Sequence, residues 1–277
     1  RVGVYVLESD TWVQLGDFVT NITSIDMDDD GNVWVGRSKT TSSEGFAQYN
    51  QAELEWKYYV PNGPAGNSFK GLAVDQDGVL WCCSPSDGIF SFDGMTWKHY
   101  SREKSGLANN DIWNVAVDDF NQKWFASWGG GAIKITESDD ILIYGSDALR
   151  GIDIDANYVP VTNVTVDENN NVWVTIYGAA DGNVVAVTTP EGQWQYFSTS
   201  DGILTNNDKE LYGIGIDQYN RVWIGSRNGV TVIDHNNTVL DKSDDDYSGT
   251  LTTTDGLVSN DVRSIAEDYE GVMWLGT

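Results

Sequence analysis

Residues 262–277, VRSIAEDYEGVMWLGT, alternate apolar and polar positions on either side of a turn. The pattern predicts one β-hairpin. An apolar strand ends at Asp268, a short turn holds Gly271, and a second strand carries Trp274. The same succession recurs five more times upstream. An Asp lies six residues before a Trp at Asp28/Trp34, Asp75/Trp81, Asp118/Trp124, Asp167/Trp173, Asp217/Trp223 and Asp268/Trp274. Successive Trp are 47, 43, 49, 50 and 51 residues apart. This is close to the ~40–50 residues of one four-stranded propeller blade.

Each column of the repeat has a physical reading. Three residues before the Asp stand Ile25, Leu72, Val115, Val164, Ile214 and Ile265, which are core positions on a strand. One residue earlier stand Ser24, Gly71, Asn114, Asn163, Gly213 and Ser264, small enough for innermost strands crowding an axis. Three residues after the Asp come Gly31, Gly78, Asn121, Asn170, Asn220 and Gly271. Gly and Asn tolerate positive φ, so this is the left-handed position of a short hairpin loop. The Asp side chain can hydrogen-bond the turn backbone, which makes it turn chemistry rather than catalysis.

After each Trp a variable loop leads to a third strand opened by Gly45, Gly88, Gly131, Gly182, Gly229 and, at the start of the chain, Gly3. Trp12, Trp56, Trp97 and Trp194 open fourth strands, with Ile141 and Val239 at the other two places. Three linkers share a theme: SGLANNDIW, DGILTNNDKELY and DGLVSNDVR.

The motif resembles the two-component-regulator propeller repeat of Bacteroidota-type extracytoplasmic proteins, most closely over 255–277 and with the same spacing along the whole chain. The resemblance implies an all-β propeller and says little of function, because such repeats serve many proteins. The chain begins at a third strand and ends after a second. Joined, its termini give a Trp274-to-Gly3 gap of six, equal to that from Trp223 to Gly229. The expectation is therefore one domain over 1–277, with six four-stranded blades, one shared between the N- and C-terminal halves. Such pairing removes exposed strand edges. The competing arrangement is a slice of a longer or seven-bladed array.

Charge narrows the partners. The 277 residues carry 16 Lys+Arg against 42 Asp+Glu, a formal net charge of −26. Such a surface repels phosphate backbones and anionic lipid, which argues against nucleic acid. It fits a solvated extracellular surface, a saline habitat or a cationic partner. No stretch approaches the ~20 apolar residues that span a bilayer. The opening RVGVYVLESD lacks a signal-peptide layout, so any export signal has been removed or lies outside this sequence. Cys82 and Cys83 are adjacent, and neighbours on a strand point to opposite faces. Two buried thiols are expected; a vicinal disulfide, needing a strained turn, is the alternative. No zinc or redox spacing occurs.

Propeller ligands meet the face bearing the second-to-third loops and the inter-blade linkers. Those loops are 36–44, 83–87, 127–130, 176–181 and 226–228, plus the junction at 276–277. The linkers are 61–68, 102–111, 145–160, 199–210 and 242–261. Nearly all length variation lies here, and insertions in a repeat fold mark the working face. Of 12 Trp, six occupy the second-strand column and four open fourth strands. Trp113 and Trp128 remain, suited to sugar stacking or to packing between blades. Tyr177, Tyr212, Arg37, Arg227 and Arg263 hold comparable places. Arg there either binds a carboxylate or phosphate or balances an acidic surface.

Other chemistries fit less well. Asp26, Asp28 and Asp30 spell the start of a calcium loop, yet Arg37 stands where the bidentate Glu belongs. The segment also matches the turn of every other repeat. Asp244–Asp246 reads as a solvated linker. His99 and His235, the two histidines, fall on strands away from the predicted ligand face and read as surface residues. Streptogramin lyases use similar Trp-rich repeats, but a matching His and Glu motif is missing. Lactonase propellers need an axial Glu/Asn/Asp cluster, and the small column offers only Asn114 and Asn163. Nucleophile-elbow, zinc-protease and P-loop motifs are missing too. No cofactor or metal is implied. The expectation is a non-enzymatic, extracytoplasmic sensor or cell-surface module, similar in kind to regulator propellers or the propeller of type IX secretion attachment machinery. Its ligand would be a glycan or surface polymer. A structural propeller docking a protein partner is the alternative, and a metal-dependent lyase or hydrolase the second.

Overall fold

The computed structural model describes residues 4–8, 11–16, 22–37, 45–59, 68–201 and 210–277. The fold is all-β and of the propeller type: its sheets are antiparallel meanders in which consecutive strands pair, except that Trp128 and Gly129 also pair with Pro160 and Val159 and so join two meanders. Backbone contacts divide the chain into two compact units, 1–117 and 118–277, where the repeats alone predict one domain.

The first unit holds two complete blades. One pairs Ile22–Met27, Val33–Arg37, Phe46–Asn50 and Glu55–Tyr59, and the other Gly71–Val74, Leu80–Ser84, Gly88–Phe92 and Trp97–Tyr100. Between them packs a core of Trp34, Phe46, Phe69, Leu72, Leu80, Cys82, Phe90 and Phe92. Both cysteines are free thiols and fully buried, and burial drives their ionisation far above the ordinary range.

In the second unit, Val159–Val166, Val172–Ile176, Asn183–Thr188 and Trp194–Ser198 make one blade, and Leu211–Ile216, Val222–Ser226, Gly229–Asp234 and Asp246–Leu251 the next. The two ends of the chain, Tyr5–Glu8 with Thr11–Gln14 and Ser264–Glu267 with Met273–Gly276, are each two-stranded.

All six turns take the same shape. Gly31, Gly78, Asn121, Asn170, Asn220 and Gly271 have φ of 78°, 75°, 56°, 61°, 60° and 78°, the left-handed conformation that selects Gly or Asn. The repeated Asp holds the turn with one oxygen and the Trp with the other. Its Oδ1 accepts the backbone N–H four residues on, at 2.8–3.0 Å in every repeat. Its Oδ2 accepts the indole Nε1–H six residues on, at 2.8, 2.8, 3.0, 3.0, 2.8 and 2.7 Å from first repeat to last. The spacing of six is thus one carboxylate bridging a hairpin loop and the strand that leaves it.

Neighbouring turns in the second unit are latched together. Asp119 N–H donates to Asn170 Oδ1 (2.8 Å), Glu168 N–H to Asn220 Oδ1 (3.1 Å) and Gln218 N–H to Glu267 Oε1 (2.7 Å). Asn170 and Asn220 therefore do two jobs, accepting positive φ and holding the preceding turn. Innermost strands approach closely, as the small-residue column requires. A Cβ on Gly71 would lie 2.7 Å from Asn114 Cα, and Asn163 Nδ2 donates to the Tyr212 carbonyl at 2.9 Å.

Four expectations need correction. Ile25, assigned to the core column, is 59% exposed, unlike buried Leu72, Val115, Val164 and Ile214. The fourth strand of the fifth repeat does not start at Val239. That residue lies in a turn where Asn236 and Asn237 take positive φ, and the strand is Asp246–Leu251. So Asp246–Leu251 are strand, not linker. His235 is not a surface residue: it is buried against Trp173, ring centroids 5.3 Å apart, and neither ring nitrogen has a hydrogen-bond partner. His99 is half-buried, stacked on Phe90 at 4.4 Å.

Candidate functional site

The loop-face residues divide between the units. In the first, Arg37 ends strand Val33–Arg37 with its guanidinium 5.4 Å above the Tyr58 ring. Trp113 is half-buried on Ile112–Val117; its indole N–H donates to Asp111 Oδ1 (2.8 Å), and Lys70 Nζ lies 3.0 Å from its ring centroid. One face of this indole is thus taken by the chain's own ammonium group. Burial lowers the Lys70 pKa and raises that of Asp111, and each charge works against the shift of the other.

The second unit brings the other five together. Strand Lys123–Gly129 carries Trp128, whose ring lies 5.2 Å from that of Tyr177, just past strand Val172–Ile176. Tyr177 O–H donates to Glu210 Oε1 (3.1 Å), and Tyr212 O–H donates to Glu210 Oε2 (2.9 Å). Arg227 Nε pairs with the same Oε2 at 2.8 Å. Arg227 and Arg263 lie 6.0 and 4.9 Å from the Tyr212 centroid, and Arg263 pairs with Asp261 at 2.8 Å. Burial, then the Glu210 hydrogen bond and charge, raise both tyrosine pKa values, so the phenols stay protonated donors. The Asp261 hydrogen bond and charge raise the Arg263 pKa further.

Glu210 joins these side chains, yet it was not among the sequence candidates. It stands two residues before Tyr212, so strand alternation turns both to one face. That alternation is the available signal, and it is masked because Glu210 stands at the end of a linker of variable length. Residues 38–44, 61–67 and 202–209, most of three loops assigned to the ligand face, lie outside the described residues.

The acidic segment at Asp26–Asp30 is engaged by the chain itself. Asp28 is occupied by Asn32 and Trp34, as in every other repeat, and Asp26 accepts the Val74 N–H. Among the described residues no group of three or more His, Cys, Asp or Glu is disposed to hold an ion. A separate cleft of about 120 Å³ opens on the turn side of the second unit, lined by Asp118, Trp124, Lys134, Tyr144 and Glu191 among others.

Residues 256–277 match the family model described as two component regulator propeller, so the chain carries that repeat where its pattern is clearest. The solved structures extend the likeness to the whole fold. The extracellular domain of a protein assigned as a hybrid two component system from B. thetaiotaomicron matches with TM-score 0.76 and 16% identity, over 99% of this chain and 35% of that one. PorZ, a surface component of the type-IX secretion system of Porphyromonas gingivalis, matches with TM-score 0.64 and 18% identity, over 99% and 40%. A catalytically inactive virginiamycin B lyase from Staphylococcus aureus with quinupristin matches with TM-score 0.69 and 17% identity, over 96% and 80%. At these identities the likeness is one of fold. The chain spans about a third of the first structure's length. No curated protein matches the sequence.

Proposed function

We propose that this chain is a non-enzymatic binding module working outside the cytoplasm, and that it holds a glycan or surface polymer on the face of the second unit carrying Trp128, Tyr177, Tyr212, Arg227 and Arg263. One observation carries the reading. Of these five side chains, singled out by loop position alone, Tyr177, Tyr212 and Arg227 meet on the single carboxylate of Glu210, with Trp128 beside Tyr177 and Arg263 beside Tyr212. Aromatic rings held by buried-edge hydrogen bonds on a rigid scaffold suit the apolar faces of sugar rings. The extracellular regulator domain and the surface component PorZ support an extracytoplasmic setting, and among the described residues no helix is long and apolar enough to cross a membrane. The lyase neighbour favours an enzyme, but neither histidine belongs to this cluster.

Titration against a panel of surface polysaccharides, with Trp128→Ala and Tyr177→Ala, is the test. Binding should weaken at least tenfold in each. If Trp113→Ala abolishes binding and Trp128→Ala does not, the ligand lies in the first unit and the site is wrong. Capture of a protein partner with no glycan bound would favour the docking alternative.

A further inference from the structure

We infer that the cluster around Glu210 selects a carboxylate-bearing sugar, the repeating unit of an acidic polysaccharide. This rests on the reading that the same face binds a glycan.

The argument begins with charge. The chain carries −26, which repels anions over most of its surface. At this cluster two guanidinium groups flank one ring, and two carboxylates balance them. The local sum is zero where the average is strongly negative. The cluster is therefore a place where an anion meets little repulsion.

Hydrogen-bonding capacity comes next. Arg227 contacts Glu210 through Nε, and its side chain is 55% exposed. An Arg has five N–H donors in a planar fork, so its terminal nitrogens remain to take an incoming carboxylate side-on. Arg263, 56% exposed, uses Nε and one terminal nitrogen on the same oxygen, Asp261 Oδ2. Trp128 and Tyr177, half-buried with ring centroids 5.2 Å apart, supply the apolar surface for the sugar's C–H groups. A ligand presenting a carboxylate and an apolar face in one ring answers both features. An inorganic anion answers only the first.

Calorimetric titration of the full chain with tetragalacturonate and with its neutral methyl ester tests this. The acid should bind at least tenfold more tightly than the ester. Arg227→Gln should weaken the acid tenfold and the ester less than twofold, while Trp128→Ala weakens both. Arg227→Lys keeps a charge beside Glu210 but loses the fork, and should retain only part of the preference. If acid and ester bind equally and Trp128→Ala still weakens both, the carboxylate preference is wrong and the glycan-binding face stands. If neither binds and indole fluorescence responds to no polysaccharide in the panel, both readings fall.

Discussion

Replacing the repeated Asp with Ala should have a cost set by burial, not by the number of hydrogen bonds drawn. Asp167 and Asp268 stand in the same column and make the same core bonds. Asp167 is 3% exposed and accepts from Asn169 N–H (2.9 Å), Asn171 N–H (2.8 Å) and Trp173 Nε1–H (3.0 Å). Trp173 is fully buried, so its indole N–H has no water to turn to. Hydrogen bonds to a charged group contribute ~1.5–3 kcal/mol each, and a buried donor left unsatisfied costs ~1–3 kcal/mol. Because such terms do not add and a water can enter the space vacated by the carboxylate, Asp167→Ala should cost about 3–5 kcal/mol. For a unit of this size that lowers Tm by roughly 10 °C. Asp268 is half-buried, against 3% exposure for Asp167, and its Trp274 is 39% exposed, so water replaces much of what Asp268→Ala removes. Its Tm shift should be less than half that of Asp167→Ala. Thermal unfolding followed by near-UV circular dichroism compares the two directly. Equal shifts, or a shift under ~2 °C for Asp167→Ala, would refute the argument.

Three further outcomes follow from the same geometry. Gly71→Ala places a Cβ 2.7 Å from the Asn114 backbone, which cannot yield as a flexible side chain would. It should destabilise the first unit by ~1–3 kcal/mol in urea unfolding, and a neutral result would contradict the close approach. His235→Phe keeps the ring against Trp173 while removing two buried, unpartnered nitrogens. Stability should hold or rise by ~1–2 kcal/mol, and a loss of more than ~1 kcal/mol would mean that the 4.0 Å approach to Asp167 matters. Burial, with the neighbouring Asp244 charge, raises the Asp245 pKa above 3.8. An acid raised on folding is penalised in its charged form, so the penalty is full above the folded pKa and vanishes below 3.8. Asp245→Asn should therefore be the more stable protein at pH 7 and match wild type in strong acid. A constant difference at every pH would exclude this cause.

Backbone requirements were legible in the sequence because few residues meet them. Positive φ at the turn admits Gly or Asn, so Gly31 through Gly271 marked six hairpins unambiguously. Alternation and the Trp openings located strands such as Glu55–Tyr59 and Trp194–Ser198. Partnerships were less legible. Nothing in the string distinguishes an Asp that merely turns the chain from one that also holds an indole. Asn170 likewise reads as a turn residue, and its grip on Asp119 needs the next repeat brought alongside. Asp246–Leu251 departs from the repeat because a second turn, held by Thr238 and Asp241, precedes the last strand, and His235 is buried by its packing on Trp173, which the string does not show. Glu210 escaped for want of any repeat column, whereas the aromatic and Arg residues around it stood out against the pattern.

The latches between turns carry a consequence for how such a chain can change size. Asp119 reaches forward to Asn170, Glu168 to Asn220 and Gln218 to Glu267, over 51, 52 and 49 residues. Each of the two middle turns donates in one direction and accepts from the other, a head-to-tail arrangement that has no built-in end. Duplicating or deleting one whole period leaves every donor facing an acceptor. Lengthening a turn by a single residue breaks two latches at once. Evolution can therefore count blades freely while the turns stay fixed. The surplus length goes to the opposite loops, where a new ligand can be met without disturbing the count.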